Sequence, residues 1–217
     1  MDPATPIHER PDLHEDAIAL TFDDGPSEWT EAILDTLARN AVKATFFVVG
    51  EAITEREAIL VRTVAEGHEV GNHTFSHPRL DEVSADEVER QVALGRRTIE
   101  EVIGLAPTQF RLPGFQHNAD VLRVVGACGY RWAIQASVFP ADFRMTSHSD
   151  IADEVMNGVQ RGSIVGLHDG KPPSEPPFAA GGSRDDREPT VAAVEAIVPT
   201  LIDRGYRFCT ISELLEL

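Results

Sequence analysis

The sequence predicts a single-domain α/β protein built on a parallel sheet, and three observations predict it. Apolar, β-branched stretches alternate with helical patterns along nearly the whole chain. The 217 residues suffice for one barrel-sized domain, and 42% hydrophobic with 25% charged residues is an ordinary globular composition. Ionisable residues also gather where several of the apolar stretches end.

The first strand is "AIALTF", 17–22, an apolar run that stops at "DDGP". A helical pattern over 28–40 separates it from "ATFFVV", 44–49, and another over 53–66 leads to "HEVGN", 68–72. The long helix 85–104 starts behind Ser84, an N-cap residue before "ADEVERQV". Strands follow at 108–112, 129–135, 163–168 and 206–211, with helices at 119–128, 149–161 and 190–204 between them. Strand-helix alternation of this kind requires parallel pairing through crossover helices, so the candidates are a doubly wound sheet and a β/α barrel. In a barrel the chemistry collects at the C-terminal ends of the strands. Residues 1–16 read as a strap or frayed end, and 169–189, rich in Pro and Gly, as a functional or mobile loop.

Lys+Arg 19 against Asp+Glu 36 gives a net charge of −17, which repels phosphate backbones and anionic lipid surfaces. Nucleic acid is therefore not an expected partner, and a neutral or cationic substrate fits better. The first sixteen residues lack the basic start and apolar stretch of a secretory signal, and no run is long enough for membrane insertion. The expected location is cytoplasmic. Cys128 and Cys209 lie among apolar neighbours and read as two buried thiols.

Three strand ends carry the chemistry. In "TFDDGP" the Gly-Pro after the strand forces a turn that can bring Asp23 and Asp24 to one rim, although strand neighbours ordinarily point apart. In "HTFSHP" the four-residue spacing lets the rings of His73 and His77 converge if the turn is helical. Two imidazoles and Asp24 form either a hydrolytic zinc arrangement or the facial triad of a non-haem iron oxygenase. Asp23 separates these, because a hydrolase needs a base beside its water and an oxygenase has no evident use for a second carboxylate. His168, at the end of "GSIVGLH", falls on the same rim.

The segments "TFDDGP", "HTFSHP", "RLPGF" and "SIVGLHD", in this order, with "VKATFFVVG" after the first and "GYRFCTISELL" near the end, resemble the polysaccharide deacetylase family of the nodulation-factor deacetylase type, carbohydrate esterase family four. The resemblance runs from about Ala17 to Leu215 and makes 17–217 the catalytic domain. It implies a distorted β/α barrel of about seven parallel strands that removes N-acyl groups from amino sugars. It also implies one divalent metal, usually zinc, for which cobalt or nickel can substitute. Matched by position, Asp23 is the general base, His168 the general acid, and Asp24, His73 and His77 the metal ligands. Arg111, Pro113, Gly114, Gly166 and Leu167 fall to substrate binding, with the Gly114 N–H at the oxyanion.

The chain departs from the family at several points. A motif that supplies an aspartate to orient the acid histidine is degenerate at 135–143, "QASVFPADF", where only Asp142 can serve, at altered spacing, and Lys43 lacks its expected partner there. Gly114 and Phe115 stand in reversed order, and the 169–189 loop is long. Gly166 replaces a leucine that lines the acyl pocket, which predicts either room for a longer acyl chain or a wall refilled by Phe139 or Trp132. The expected activity is hydrolysis of an N-acyl, chiefly N-acetyl, group on a small soluble amino-sugar conjugate or oligosaccharide. Two alternatives remain: a metal-binding barrel kept only for carbohydrate binding, and a hydrolase of O-acetyl esters or formamides.

Overall fold

In a computed structural model the chain is described at residues 2–176 and 184–217, so 177–183 of the expected 169–189 loop lie outside the described residues. Strands β1 (Thr5–Ile7), β2 (Ala17–Asp23), β3 (Thr45–Val48), β4 (Glu69–Asn72), β5 (Trp132–Ile134), β6 (Ile164–His168) and β7 (Arg207–Cys209) are all joined in parallel pairs. The main sheet runs β4-β3-β2-β6, with β7 along the first residues of β2. Helices α1 (Glu28–Arg39), α2 (Glu57–Ala65), α3 (Ala85–Ile103), α4 (Ala119–Ala127), α5 (His148–Gly158) and α6 (Glu188–Asp203) follow the alternation read from the sequence, and α7 (Ile211–Glu216) is added beyond it.

The expected strand at 108–112 is reduced to a bridge. The Asn72 N–H donates to the Gln109 carbonyl, and the Arg111 N–H to that of Asn72, while the Ile134 N–H reaches Phe110. These bonds carry the wall from β4 to β5. Beyond β5, the N–H groups of Ser137 and Val138 both donate to Ile164 and so connect to β6. The result is a distorted barrel whose weak sector is held by single bridges rather than by regular ladders. Within the N-terminal segment, β1 pairs with β5 in register Thr5 with Trp132. The predicted strand 206–211 stops at Cys209, because Thr210 caps α7 through a reciprocal bond with Glu213.

β2 is buried on both faces, as a central parallel strand must be. On one side Ile18, Leu20 and Phe22 pack with Ile33, Leu34 and Leu37 of α1 and with Val194, Ile197 and Val198 of α6. On the other, Ala17 and Ala19 join Phe47, Ile134 and Ile164. Burying one Leu or Phe side chain is worth about 1.5–3 kcal/mol relative to exposure, so this double cover fixes β2, and with it Asp23. Asp23 and His168 are register partners at the ends of adjacent strands. Among the described residues, no helix is long and apolar enough to cross a membrane.

Candidate active site

Asp24 lies just past β2 with φ of 77°, a left-handed conformation that turns its side chain back to the rim it shares with Asp23. Both carboxylates line one cleft of about 700 Å³, together with His73, His77, Pro113, Gly114 and His168. The rings of His73 and His77 lie 4.8 Å apart between centroids. Their Nε2 atoms stand 3.5 and 3.4 Å from Asp24 Oδ1.

The His-x-x-x-His turn is not helical, which corrects the condition set on its spacing. Left-handed Thr74 (φ 69°) and His77 (φ 58°) bring the rings together. Asn72 Oδ1 accepts the Thr74 N–H, Thr74 Oγ1 accepts the His77 N–H, and Gln91 Oε1 accepts those of Phe75 and Ser76. Gly95 on α3 permits this approach, since a Cβ there would meet Asn72 Oδ1 at 2.5 Å. Asn72, Thr74 and Gln91 were not singled out in the sequence, where a buried amide carries no chemical signature.

The triad fits a divalent ion. Asp24 Oδ1 is buried without any hydrogen-bond partner, an arrangement that is costly unless a cation completes it. Its ligand atoms and those of the two histidines all lie within 4.8 Å of one another. His73 Nδ1 donates to the Arg111 carbonyl at 2.8 Å, which leaves the Nε2 lone pair toward Asp24. Burial holds the His73 pKa down at about 4, so the ring is neutral, as a ligand must be.

Asp23 is held from behind. Arg111 Nη1 donates to its Oδ1 at 2.7 Å, and to Thr21 Oγ1 at the same distance. Burial pushes the Asp23 carboxyl up, but Arg111, with help from His73 and His168, outweighs it and leaves the group below the usual carboxylate range. Arg111 itself is 0% exposed, binds the carbonyls of Ile134 and Gln135, and lies over the Phe47 ring. It does not line the cleft, so its expected place among substrate contacts is corrected: the guanidinium is spent on Asp23 and the barrel backbone.

His168 is paired with Asp142. Its Nδ1 donates to Asp142 Oδ1 at 2.7 Å, while Asp142 Oδ2 accepts the His168 N–H and the Thr190 hydroxyl. Burial favours the neutral ring, but Asp142 reverses this and raises the His168 pKa to about 9. The altered spacing is absorbed by Ala141, left-handed at φ 54°, which starts a short turn of 3-10 helix at Asp142–Arg144. Lys43 lies elsewhere, its ammonium bonded to the Glu66 carbonyl at the end of α2.

Pro113 and Gly114 line the cleft, whereas Gly166 and Leu167 do not, a second correction. Gly166 does share a face with His168, but a Cβ there would meet Ala136 Cβ at 3.0 Å and Phe139 Cδ2 at 3.2 Å. The space left by the missing side chain is filled, so the expected room for a longer acyl chain is absent. Leu167 points the other way, into the core with Ile18 and Leu20, as the strand alternation dictates. Phe139, 38% exposed, meets Phe115 and the edge of His168 at 5.0 and 5.5 Å between ring centroids. Of the long loop, Ser174, Glu175 and Pro176 reach the cleft, and Ser174 Oγ donates to the Ser76 carbonyl at 2.6 Å.

Fold and site together define a metal-dependent deacetylase. A sequence model of the polysaccharide deacetylase family matches residues 10–133. The chain is 40% identical over 192 residues to a chitooligosaccharide deacetylase of Sinorhizobium fredii, covering 88% of this chain and 87% of that relative. A peptidoglycan N-acetylglucosamine deacetylase, solved with a naphthyl-substituted N-hydroxybenzamide, superposes with a TM-score of 0.85 at 32% identity, covering 98% of this chain and 92% of the other. A family 4 acetyl xylan esterase from Clostridium thermocellum, solved with a cobalt ion, gives 0.79 at 32% identity over 92% and 90%. The chain belongs to the polysaccharide deacetylase family, carbohydrate esterase family four.

Proposed function

We propose that this protein hydrolyses the acetamido group of N-acetylglucosamine units in a soluble chitooligosaccharide-like glycan. The carrying observation is that one cleft of about 700 Å³ places a metal-fitting triad beside two groups of opposite protonation, Asp23 and His168. An amide is a poor electrophile and an amine a poor leaving group, so its hydrolysis needs both a base and an acid. Asp23, ionised by Arg111, takes the proton of the attacking water. His168, kept protonated by Asp142, gives one from Nε2 to the departing nitrogen, so that acetate and the free amine leave. A divalent ion held by Asp24, His73 and His77 would supply Lewis-acid polarisation of the amide and a more acidic water. The Gly114 backbone lies in the same cleft to meet charge developing on the carbonyl oxygen.

The net charge of −17 favours a neutral glycan over an anionic polymer. Likeness to a peptidoglycan deacetylase supports a second reading, in which the same sugar is presented on wall fragments. The zinc- or cobalt-loaded protein, incubated with chitotetraose and with soluble N-acetylated wall fragments, should remove acetyl groups faster from the former by product mass. Faster turnover of the wall fragments selects the second reading, and no acetyl loss from either overturns both.

The ligand set is tested by Asp24→Ala, His73→Ala and His77→Ala, each of which should lower metal content per chain in elemental analysis. Full occupancy in all three would contradict the assignment.

The filled wall over Gly166 points to acetyl as the acyl group. In a series of N-acetyl, N-propionyl and N-butyryl versions of one amino sugar, kcat/KM should fall by about tenfold or more for each methylene that must be forced against Phe139. Gly166→Leu should not change that order. It should lower stability by about 1–3 kcal/mol, because Ala136 and Phe139 must yield. Equal or better turnover of the butyryl compound by the parent would show that the wall moves aside.

A further inference from the structure

We propose that Asp169 is a positioning residue for the metal site, fixing the backbone of Asp24 by bonding both peptide groups that flank it. The proposal rests on the reading of Asp24, His73 and His77 as a metal site. The Asp169 N–H donates to the Asp23 carbonyl at 3.1 Å, and its Oδ1 accepts the Gly25 N–H at 3.1 Å. The Asp23 carbonyl belongs to the peptide plane before Asp24 and the Gly25 N–H to the plane after it. Holding both planes sets φ and ψ of Asp24, the two torsions that aim its side chain. Those torsions need setting, because φ of 77° is a conformation that a residue with a Cβ adopts only under restraint.

The remaining atoms of Asp169 are tied as well. Its Oδ2 accepts the Thr30 hydroxyl at 2.6 Å, and its carbonyl accepts the Ser27 hydroxyl, so the residue is anchored to the first turn of α1. The packing leaves no slack. A Cβ at Gly25 would lie 2.2 Å from Asp169 Oδ2, and one at Gly170 would lie 2.6 Å from the Asp24 carbonyl oxygen. Two glycines thus let the ends of β2 and β6 close on each other with the Asp169 carboxylate between them. Asp169 is 1% exposed and does not line the cleft, so it acts through Asp24 and not on the substrate.

A residue that orients a ligand from behind should change metal affinity and coordination, and loss of such a partner typically costs about 10–100-fold in affinity. Cobalt(II) provides both readouts, its visible absorption reporting coordination geometry and its titration reporting affinity. Circular dichroism and thermal melting should accompany each variant. Asp169→Ala is expected to weaken Co(II) binding by about 10–100-fold and to alter the spectrum of the bound ion. Asp169→Asn keeps an acceptor for the Gly25 N–H and should restore most of both. Thr30→Val removes the anchor at Oδ2 together with the bond that Thr30 Oγ1 accepts from the Ser27 N–H at the start of α1, and should weaken binding severalfold, whereas Thr30→Ser keeps both bonds and should bind as the parent does; this pair keeps the test open if Asp169→Ala does not fold. Parental affinity and spectrum in folded Asp169→Ala or in Thr30→Val would overturn the proposal, leaving Asp169 a packing residue. Failure of the metal reading itself looks different: the parent would then bind no Co(II), or Asp24→Ala would bind it as well as the parent does.

Discussion

Replacing Asp23 by asparagine is expected to lower kcat by about 10²–10⁴-fold, the usual worth of a positioned acid or base, while the metal stays bound. The carboxylate has no share in the triad, whose ligand atoms come from Asp24, His73 and His77. It faces Arg111 at 2.7 Å, and the side-chain oxygen of asparagine can still accept that bond. Asparagine cannot neutralise the guanidinium, however, and Arg111 is 0% exposed. Removing one partner of a buried ion pair costs about 3–5 kcal/mol, because the remaining charge stays out of water, so the melting temperature should fall too. The stability loss and the rate loss are separable. Elemental analysis on the folded protein below its melting point should show parental metal content, and turnover should be lost at that same temperature. A variant that turns over substrate at the parental rate would make Asp23 only a counter-ion for Arg111. Loss of metal along with activity would make it a ligand.

The rim of the barrel was legible in the sequence because its groups stand at the ends of strands and within short local motifs. "TFDDGP" and "HTFSHP" led to one rim for Asp23, Asp24, His73 and His77, and the structure brings the four to one cleft, although the second turn is shaped by α3 and not by a helical spacing. The order of strands and helices was legible for the same reason: each element carries its own periodicity. Three features resisted, and each depends on distant parts of the chain. The segment 108–112 has strand-like residues but pairs only through single bridges, because the barrel is distorted where β4 gives way to β5. Arg111 was expected among the substrate contacts from its place in "RLPGF", yet it turns inward to a carboxylate 88 positions earlier. The fate of the space beside Gly166 depended on whether Phe139, from the segment after β5, swings over it, and no local pattern encodes that. Asp142 lies between these cases. It was visible as the one carboxylate within reach, but the left-handed turn that delivers it to His168 is made by an alanine, which carries no signal for such a backbone.

Asp142→Asn should move the alkaline limb of the pH–rate profile to lower pH and reduce turnover at neutral pH by about tenfold or more, within the range a positioned acid contributes. Every group facing Asp142 in this network is a donor. Its Oδ2 accepts from the His168 N–H and the Thr190 hydroxyl, and its Oδ1 accepts from His168 Nδ1. An asparagine must keep its oxygen toward the backbone N–H, which has no acceptor form, and so its amide nitrogen turns toward Nδ1. His168 Nδ1 can accept from that amide only when the imidazole is neutral. The substitution therefore removes the charge that favours the imidazolium and adds a bond that favours the neutral ring. Burial, which already disfavours the charged form, is left unopposed by its main partner. The sign follows from the direction of the parental shift. A pKa raised to about 9 keeps the acid protonated through neutral pH, and lowering it empties the acid as the pH rises through neutrality. Activity should recover in part toward acid pH, until protonation of Asp23 sets the other limb. The measurement is kcat/KM against pH for parent and variant on one soluble acetylated oligosaccharide, with metal content checked at each end of the range. If the alkaline limb stays where the parent has it, His168 is not the proton donor whose titration limits turnover, and the Asp142 pairing serves only to hold β6 against the turn that follows β5.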